Sequence, residues 1–340
     1  MGFLGGVLRL RFWLQLVTVA ALAACANLAL AAVAPGEAGA RSPIQLAPVS
    51  APAAAPGSAG GYSRATVAVL RYGSGSADVG LRTGAERRPV GPSSFAVERG
   101  GRILVADVVN GRIQVFAPDG KHERSVSVAS PLHDLTVDDA GVAYALSTDG
   151  GLTAYDTSTG RQADRWALEP ELARSLGHLR AQDGLISLEA PNQLSYPVYV
   201  AGGSVGLRAQ EAAQKKGAKG PSGYYYSTSY RDQGHLYRLD AQGKVVLDVA
   251  LKLSDVASVN FLGEDRSGSA YVVVERFGAK NQVSVEVRKL DRGGALTATI
   301  PAPPVTLVEM TRSILVTDSG DIYELLPEAN GASVLRWRKP

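Results

Sequence analysis

The motif most typical of catalysis lies near the middle of the chain, which reads Gly202-Gly203-Ser204-Val205-Gly206. A GxSxG spacing presents a serine nucleophile on a strained turn between a strand and a helix of an α/β sheet. His235 follows downstream as a candidate base. The flanking segments do not alternate strands with helices, so we interpret the string as a Gly-rich loop.

The chain has four histidines, and none lies at metal-ligand spacing from another: His122, His133, His178 and His235. The sequence contains no HExxH motif, no Walker loop and no EF-hand loop. The 35 basic residues nearly balance the 32 acidic residues, which argues against a nucleic-acid partner. We therefore expect no cofactor, and a binding protein is favoured over an enzyme.

A basic and aromatic segment, 207–233, is the most unusual part of the chain, and it is predicted to be an insertion. Tyrosine offers a large contact area with a polar tip, which suits a binding surface. The predicted contacts to a protein or glycan ligand are Lys215, Lys216, Lys219, Tyr224, Tyr225, Tyr226 and Tyr230. The other interpretation is a strand over 224–230 with alternate tyrosines buried.

The N-terminus is typical of a signal peptide. Residues 1–24 hold two arginines, no acid and a 13-residue, mostly apolar run from Phe12. Leu22-Ala23-Ala24-Cys25 resembles the lipobox of bacterial lipoproteins, and this resemblance implies lipidation of Cys25 and a membrane as partner. Cleavage after Ala31 and retention of 12–34 as an uncleaved anchor stay open as alternatives.

A tether is predicted over 25–63. Of the 38 residues after Cys25, 27 are Ala, Pro, Gly or Ser, and five prolines interrupt any helix or sheet ladder. Few large apolar groups are present to offset the entropy of ordering the backbone. We therefore expect a semi-extended tether between the cell envelope and a folded domain at 64–340.

The remaining sequence repeats a four-strand pattern. Residues 92–128 and 131–168 align at an offset of 39 residues, each with apolar strands separated by Gly turns. The segments 256–300 and 305–337 keep the same rhythm, and helix-period stretches are confined to 169–179 and 204–216. Such units cannot bury both faces alone, so they are expected to pack radially.

The first unit contains Pro92, the strand 103–106, Asp107, Asn110 and the turn Asp119-Gly120. These residues give the unit a resemblance to an NHL repeat. It implies an all-β fold, a β-propeller with four-stranded antiparallel blades, in which Asp107 and Asn110 tie one hairpin. The length predicts six blades, with five or seven left open. Strands are also expected ahead of the first unit, over 65–82, and an N-terminal strand is expected to pair into the last sheet and close the ring.

The predicted fold and the predicted N-terminal signal together indicate an envelope-anchored or secreted propeller that acts as a binding or scaffolding module. The envelope location includes the periplasm and the outer membrane. A second hypothesis is a metal-dependent hydrolase or lyase, since lactonase-like propellers hold a metal in the central channel. Its weak candidates here are Asn260, Glu309 and Asp318. A third hypothesis is a purely structural envelope component.

Overall fold

The structure is a computed structural model that describes residues 61–129, 131–175, 177–200, 203–204, 214–278 and 282–339. The predicted signal peptide at 1–24 and the predicted tether up to residue 60 lie outside the described residues. The tether boundary at residue 63 needs a correction, because Tyr62 is 2% exposed and a strand begins at Ser63. The propeller domain therefore begins before residue 64.

In the described residues, six sheets of four or more strands form a six-bladed β-propeller, which confirms the predicted all-β class and blade number. The chain first forms β1 (Ser63–Leu70) and a separate hairpin of β2 (Arg82–Gly84) and β3 (Arg87–Val90). Blade 1 contains β4 (Ser94–Val97), β5 (Ile103–Asp107), β6 (Arg112–Phe116) and β7 (His122–Ser127). Blade 2 contains β8 (Leu132–Val137), β9 (Val142–Ser147), β10 (Gly151–Asp156) and β11 (Gln162–Ala167).

The helix α1 (Pro170–Ser175) connects blade 2 to blade 3. Blade 3 contains β12 (His178–Gln182), β13 (Leu185–Glu189), β14 (Leu194–Val200), β15 (Gly203–Ser204) and β16 (Lys215–Lys216). Blade 4 contains β17 (Ala218–Lys219), β18 (Tyr225–Ser229), β19 (His235–Leu239) and β20 (Val245–Ala250).

Blade 5 contains β21 (Val256–Glu264), β22 (Ala270–Phe277), β23 (Val283–Leu290) and β24 (Leu296–Ala302). Blade 6 contains β25 (Ile314–Val316), β26 (Ile322–Glu328) and β27 (Gly331–Arg338).

Both predicted helical stretches differ from the structure. α1 covers six residues of 169–179, because β12 begins at His178. Within 204–216, Ser204 and Lys215–Lys216 lie in strands that pair with β14. None of the described helices has the length and apolar character needed to cross a membrane.

The ring is closed by its first strand, as predicted. β1 pairs antiparallel with β27, from Ser63 opposite Arg338 to Leu70 opposite Ala332. β1 is therefore the outermost strand of blade 6, and the two ends of the domain share one sheet. We call the face that carries the links between blades the connection face, and the opposite face the turn face. In each blade the first and third strands run from the connection face to the turn face. Ser63 consequently lies at the turn face.

Apolar side chains fill most of the seams between blades. Phe95 and Leu325 pack between blades 6 and 1, Leu135 packs between blades 1 and 2, and Leu188 packs between blades 2 and 3. Tyr226 joins the cluster between blades 4 and 5, and further apolar residues fill the seam between blades 5 and 6. Each such fully buried side chain stabilises the fold by roughly 1.5–3 kcal/mol.

The seam between blades 3 and 4 is polar instead. The Gln193 side chain donates to the Thr228 carbonyl at 2.8 Å and accepts from the Thr228 N–H at 2.8 Å and the Ser227 hydroxyl at 2.6 Å. Ser195 donates to the Gly217 carbonyl at 2.8 Å. Among the described residues, the buried apolar clusters do not bridge these two blades. Hydrogen bonds therefore join blade 3 to blade 4.

Candidate functional site

The residues predicted to contact a ligand lie largely in strands. Lys215 and Lys216 form β16, Lys219 ends β17, and Tyr225 and Tyr226 begin β18. The insertion predicted over 207–233 therefore needs a correction: the described residues from 215 onward belong to blades 3 and 4, because their backbones pair with β14 and with each other. Residues 205–213 lie outside the described part.

Tyr226 is buried between two blades and is not accessible to a ligand. Its side chain is 3% exposed, its ring stacks on that of Phe261 with centroids 4.5 Å apart, and its hydroxyl donates to Glu264 at 2.8 Å. Burial, together with the Glu264 carboxylate, raises the pKa of the Tyr226 hydroxyl above its ordinary value. Tyr226 therefore ties blade 4 to blade 5.

The other predicted contact residues differ in exposure and do not converge on one pocket. Arg238 lies over the Tyr224 ring at 4.9 Å, and Lys219 pairs with Asp183 at 3.1 Å. Lys215 donates to the Ala241 carbonyl at 3.1 Å, and Tyr225 is half-buried. Lys216 and Tyr230 are exposed, Tyr230 by 61%. These last two are the accessible members of the predicted set.

The three metal candidates do not come together. The Asn260 amide donates to Ser258 on its own strand at 3.3 Å, and Asp318 pairs with Arg266 at 3.3 Å on an exposed turn. Glu309 is exposed in the link that precedes β25. In the described part of the chain, no three His, Cys, Asp or Glu residues are grouped as a metal site would require.

An ion pair with a fully buried carboxylate and a half-buried arginine lies at the centre of the ring. Arg312, just before blade 6, reaches Asp134 of blade 2 at 2.7 Å and also donates to the Leu179 carbonyl of blade 3. Asp134 is 0% exposed and further accepts from the Ser94 hydroxyl at 2.5 Å and the Leu179 N–H at 2.7 Å. One carboxylate thus links the innermost strands of blades 1, 2 and 3 to blade 6.

The electrostatics of this hub favour the charged form of Asp134. Burial by itself raises the pKa of this carboxyl, but Arg312, His178 and the hydrogen bonds from Ser94 and Leu179 lower it more, so its pKa lies below the ordinary value. Asp134 therefore carries its negative charge at neutral pH, where it neutralises Arg312. The sequence shows Asp134 as one of many acids at strand ends, and no local pattern distinguishes it.

A second arginine crosses the hub. Arg180 on β12 donates to the Leu262 carbonyl of blade 5 at 3.2 Å, pairs with Glu189, and lies over the Phe261 ring at 5.3 Å. Together, Arg312 and Arg180 connect blades 3, 5 and 6 through the middle of the ring. These two side chains therefore cross-link the inner strands of blades that are not neighbours in the ring.

The remaining motif candidates are separate from one another. His122 contacts Gln114 at 2.9 Å, and His235 contacts Asp248 at 2.8 Å, each within its own blade. Ser204 lies with Gly203 in β15, which pairs with β14, while Gly202, Val205 and Gly206 of the GxSxG string lie outside the described part. Cys25 also lies outside the described residues, so its lipidation stays a prediction.

Asp107 and Asn110 form the hairpin tie that the NHL resemblance implied. The Asn110 amide donates to Asp107 at 2.8 Å, and Arg112 pairs with the same carboxylate oxygen at 3.0 Å. The other Asp107 oxygen accepts from the Gly80 N–H at 2.8 Å. The tie therefore holds the β5–β6 hairpin and also fixes the link that leads from β1 to blade 1.

One buried carboxyl was not predicted from the sequence. Glu324 on β26 is 0% exposed, and neither of its oxygens has a hydrogen-bond partner in the described structure. It lies opposite Ile314 and Leu335, two members of the apolar cluster between blades 5 and 6. Burial raises the pKa of Glu324 to about 8, against a lowering effect of Arg64. The side chain is therefore predominantly neutral at pH 7.

Comparison with known protein families finds a similarity in blade 1. The NHL repeat family model matches residues 90–116, which run from the end of β3 to the end of β6. This match confirms the resemblance inferred from the first unit. No curated protein matches the chain.

Solved structures with a similar strand arrangement have low sequence identity. A streptogramin B lyase structure is 10% identical with a TM-score of 0.45, covering 73% of this chain and 93% of that one. BamB from Moraxella catarrhalis is 13% identical with a TM-score of 0.41, covering 81% and 98%. The selenomethionine-substituted virginiamycin B lyase from Staphylococcus aureus is 10% identical with a TM-score of 0.44, covering 72% and 94%. These likenesses assign neither a reaction nor a partner to this chain.

Proposed function

We propose that this protein is an envelope-anchored or secreted propeller that binds a protein or polymer ligand and acts as a scaffold. The observation that carries this proposal is the cross-linked hub, in which Arg312 and Asp134 pair at 2.7 Å between blades 6 and 2. Because these charges are paired with each other, the two faces and the rim are the proposed surfaces for recognition. Lys216 and Tyr230 are the proposed contacts from the basic and aromatic segment.

The binding proposal is tested by surface variants, because deleting 207–222 would remove β16 and β17. The variant Lys216→Glu/Tyr230→Ser is compared with Lys244→Glu/Phe277→Ser, which alters exposed positions in blades 4 and 5. After crosslinking in intact cells, a partner recovered with the wild type and the control variant should be lost with the first variant. Recovery of the same partner by both variants would exclude Lys216 and Tyr230 as contacts.

The location proposal concerns Cys25. A diacylglyceryl group on this thiol would bury many methylenes in a bilayer at about 0.8 kcal/mol each, which gives stable anchoring when more than one chain is attached. Cys25→Ser should move the protein from the membrane fraction to the soluble fraction, and Ser50→Ala in the predicted tether is a matched control. An unchanged membrane fraction for Cys25→Ser would refute lipid anchoring.

A further inference from the structure

A two-stranded hairpin stands apart from the six blades. β2 (Arg82–Gly84) and β3 (Arg87–Val90) pair with each other and with no blade strand in the described structure. All their residues are exposed except Pro89, which is half-buried. An isolated hairpin is at best marginally stable in water. Since it adds no buried apolar side chain to the core, its contribution to folding is small.

The base of this hairpin is nevertheless held firmly. The preceding link is fixed by the Gly80 N–H to Asp107 at 2.8 Å, by Arg112 to the Asp78 carbonyl at 2.8 Å, and by Gln114 to the same carbonyl at 2.6 Å. Val79 is 0% exposed in the seam between blades 6 and 1. The hairpin is therefore an exposed arm on an ordered support.

The arm is strongly basic. Arg82, Arg87 and Arg88 are all exposed, and Glu86 in the turn is its single acid. None of the three arginines forms an ion pair with a residue that the structure describes, unlike Arg102, Arg112 and Arg338 elsewhere in the ring. Guanidinium groups bind carboxylates and phosphates through two parallel hydrogen bonds. The charge of the arm is therefore available to an acidic partner.

The arm lies on the connection face. β1 begins at Ser63 on the turn face and ends at Leu70, from which the link carrying the hairpin departs. Eight residues of strand span about 26 Å. The chain therefore enters the ring at one face and presents the arginines at the other.

We infer that the β2–β3 hairpin is a docking arm for an acidic segment of a partner protein, recognised through its carboxylates by Arg82, Arg87 and Arg88. This inference deepens the proposed binding function and names a second contact surface for it. A protein segment is favoured over a lipid surface for two reasons. The hairpin lies on the face opposite chain entry, and Val90 is its one large aliphatic side chain, whereas surface-bound membrane elements bury apolar groups.

The test uses the full-length protein, with a fluorescein-labelled peptide of alternating glutamate and serine as the probe. The triple variant Arg82→Gln/Arg87→Gln/Arg88→Gln should raise the dissociation constant about tenfold in fluorescence anisotropy. The control Arg99→Gln/Arg161→Gln/Arg292→Gln removes the same charge from exposed arginines on the turn face and should leave the constant unchanged. Binding by the wild type should weaken as salt rises.

Equal binding by the two triple variants would overturn the inference, since net charge alone would then explain capture of the peptide. Failure of the wild type to bind the peptide at low salt would also overturn it. Binding to vesicles that contain phosphatidylglycerol is measured in parallel. If the triple variant of Arg82, Arg87 and Arg88 lost vesicle binding but kept peptide binding, the inference would be overturned in favour of a lipid surface. The variants of Lys216 and Tyr230 test the proposed function separately, so that either proposal can fail alone.

Discussion

Single residues in this ring differ in how their charges are satisfied. Asp134 accepts from Ser94, the Leu179 N–H and Arg312, so a fully buried carboxylate has partners on several sides. Glu324 is equally buried, yet it has no hydrogen-bond partner in the described structure and faces an apolar cluster. Burial without a partner disfavours the ionised form, and burial with a cation does not. The two carboxyls therefore respond to pH in opposite directions.

Glu324→Gln is expected to change the pH dependence of stability. The folded pKa of about 8 lies above the value near 4.5 of an unperturbed glutamate, so the folded state retains a proton between these values. Wild-type stability should therefore fall as pH rises from about 4.5 to about 8, by a few kcal/mol. The variant cannot ionise, so urea unfolding should show its stability relative to the wild type increasing from pH 5 to pH 9.

The matched control for this experiment is Glu328→Gln, which changes an exposed glutamate on the same strand. The change in relative stability from pH 5 to pH 9 should be larger for Glu324→Gln than for this control. A variant at position 324 whose difference from the wild type is the same at pH 5 and pH 9 would contradict a neutral buried carboxyl.

At the scale of elements, the positions of the strands can be predicted from the sequence. The contacts that fill the seams between blades cannot. The apolar residues of β5 and β6 predict a strand buried on both faces, and Asp119-Gly120 predicts the turn, where Gly120 adopts a φ of 82°. The NHL tie at Asp107 was likewise predicted. In contrast, Gln193 appears in the sequence as an ordinary polar residue of a turn. Its role arises because blade 4 places Ser227 and Thr228 against it.

Gln193→Ala is expected to loosen the seam between blades 3 and 4. The substitution leaves the Ser227 hydroxyl and the backbone groups of Thr228 without their partner, which costs roughly 2–4 kcal/mol when each hydrogen bond contributes about 1 kcal/mol. Gln193 has a φ of 62°, which strains alanine as much as glutamine, so the backbone contribution is unchanged. Urea unfolding measures the loss, with Gln242→Ala at an exposed turn as the control. Equal midpoints for both variants would contradict the assigned role of Gln193.

At the scale of the whole molecule, closure depends on one pairing between distant parts of the chain. β1 and β27 are joined along the register from Ser63 to Leu70, and Tyr62 bonds through its hydroxyl to Tyr271 at 3.1 Å. β1 covers the outer edge of β27 and completes blade 6 as a four-stranded sheet. The stability of the ring should therefore depend on residues 61–70 more than on any external loop.

A chain that begins at residue 72 should lose this closure. It lacks the buried side chains of Tyr62 and Leu70 and the whole of β1, a loss of roughly 4–6 kcal/mol from buried area. For a domain of this size the melting temperature should fall by about 10–20 °C. A chain that begins at residue 61 is the control, and a synthetic peptide of residues 61–70 should restore part of the loss. An unchanged melting temperature would show that blade 6 is stable with three strands.

The all-β class, the strand rhythm and the NHL character of blade 1 follow from the sequence, because period-two alternation, Gly turns and the residues of one repeat are local along the chain. The closing strand was expected from the propeller architecture. Which charges meet depends on the folded ring. Asp134 and Arg312 are 178 residues apart, and their pairing exists because the ring brings blades 2 and 6 to a common centre. The same applies to Tyr226, whose burial depends on the neighbouring blade. A pattern along the chain cannot distinguish a free aromatic side chain from one that a distant strand covers.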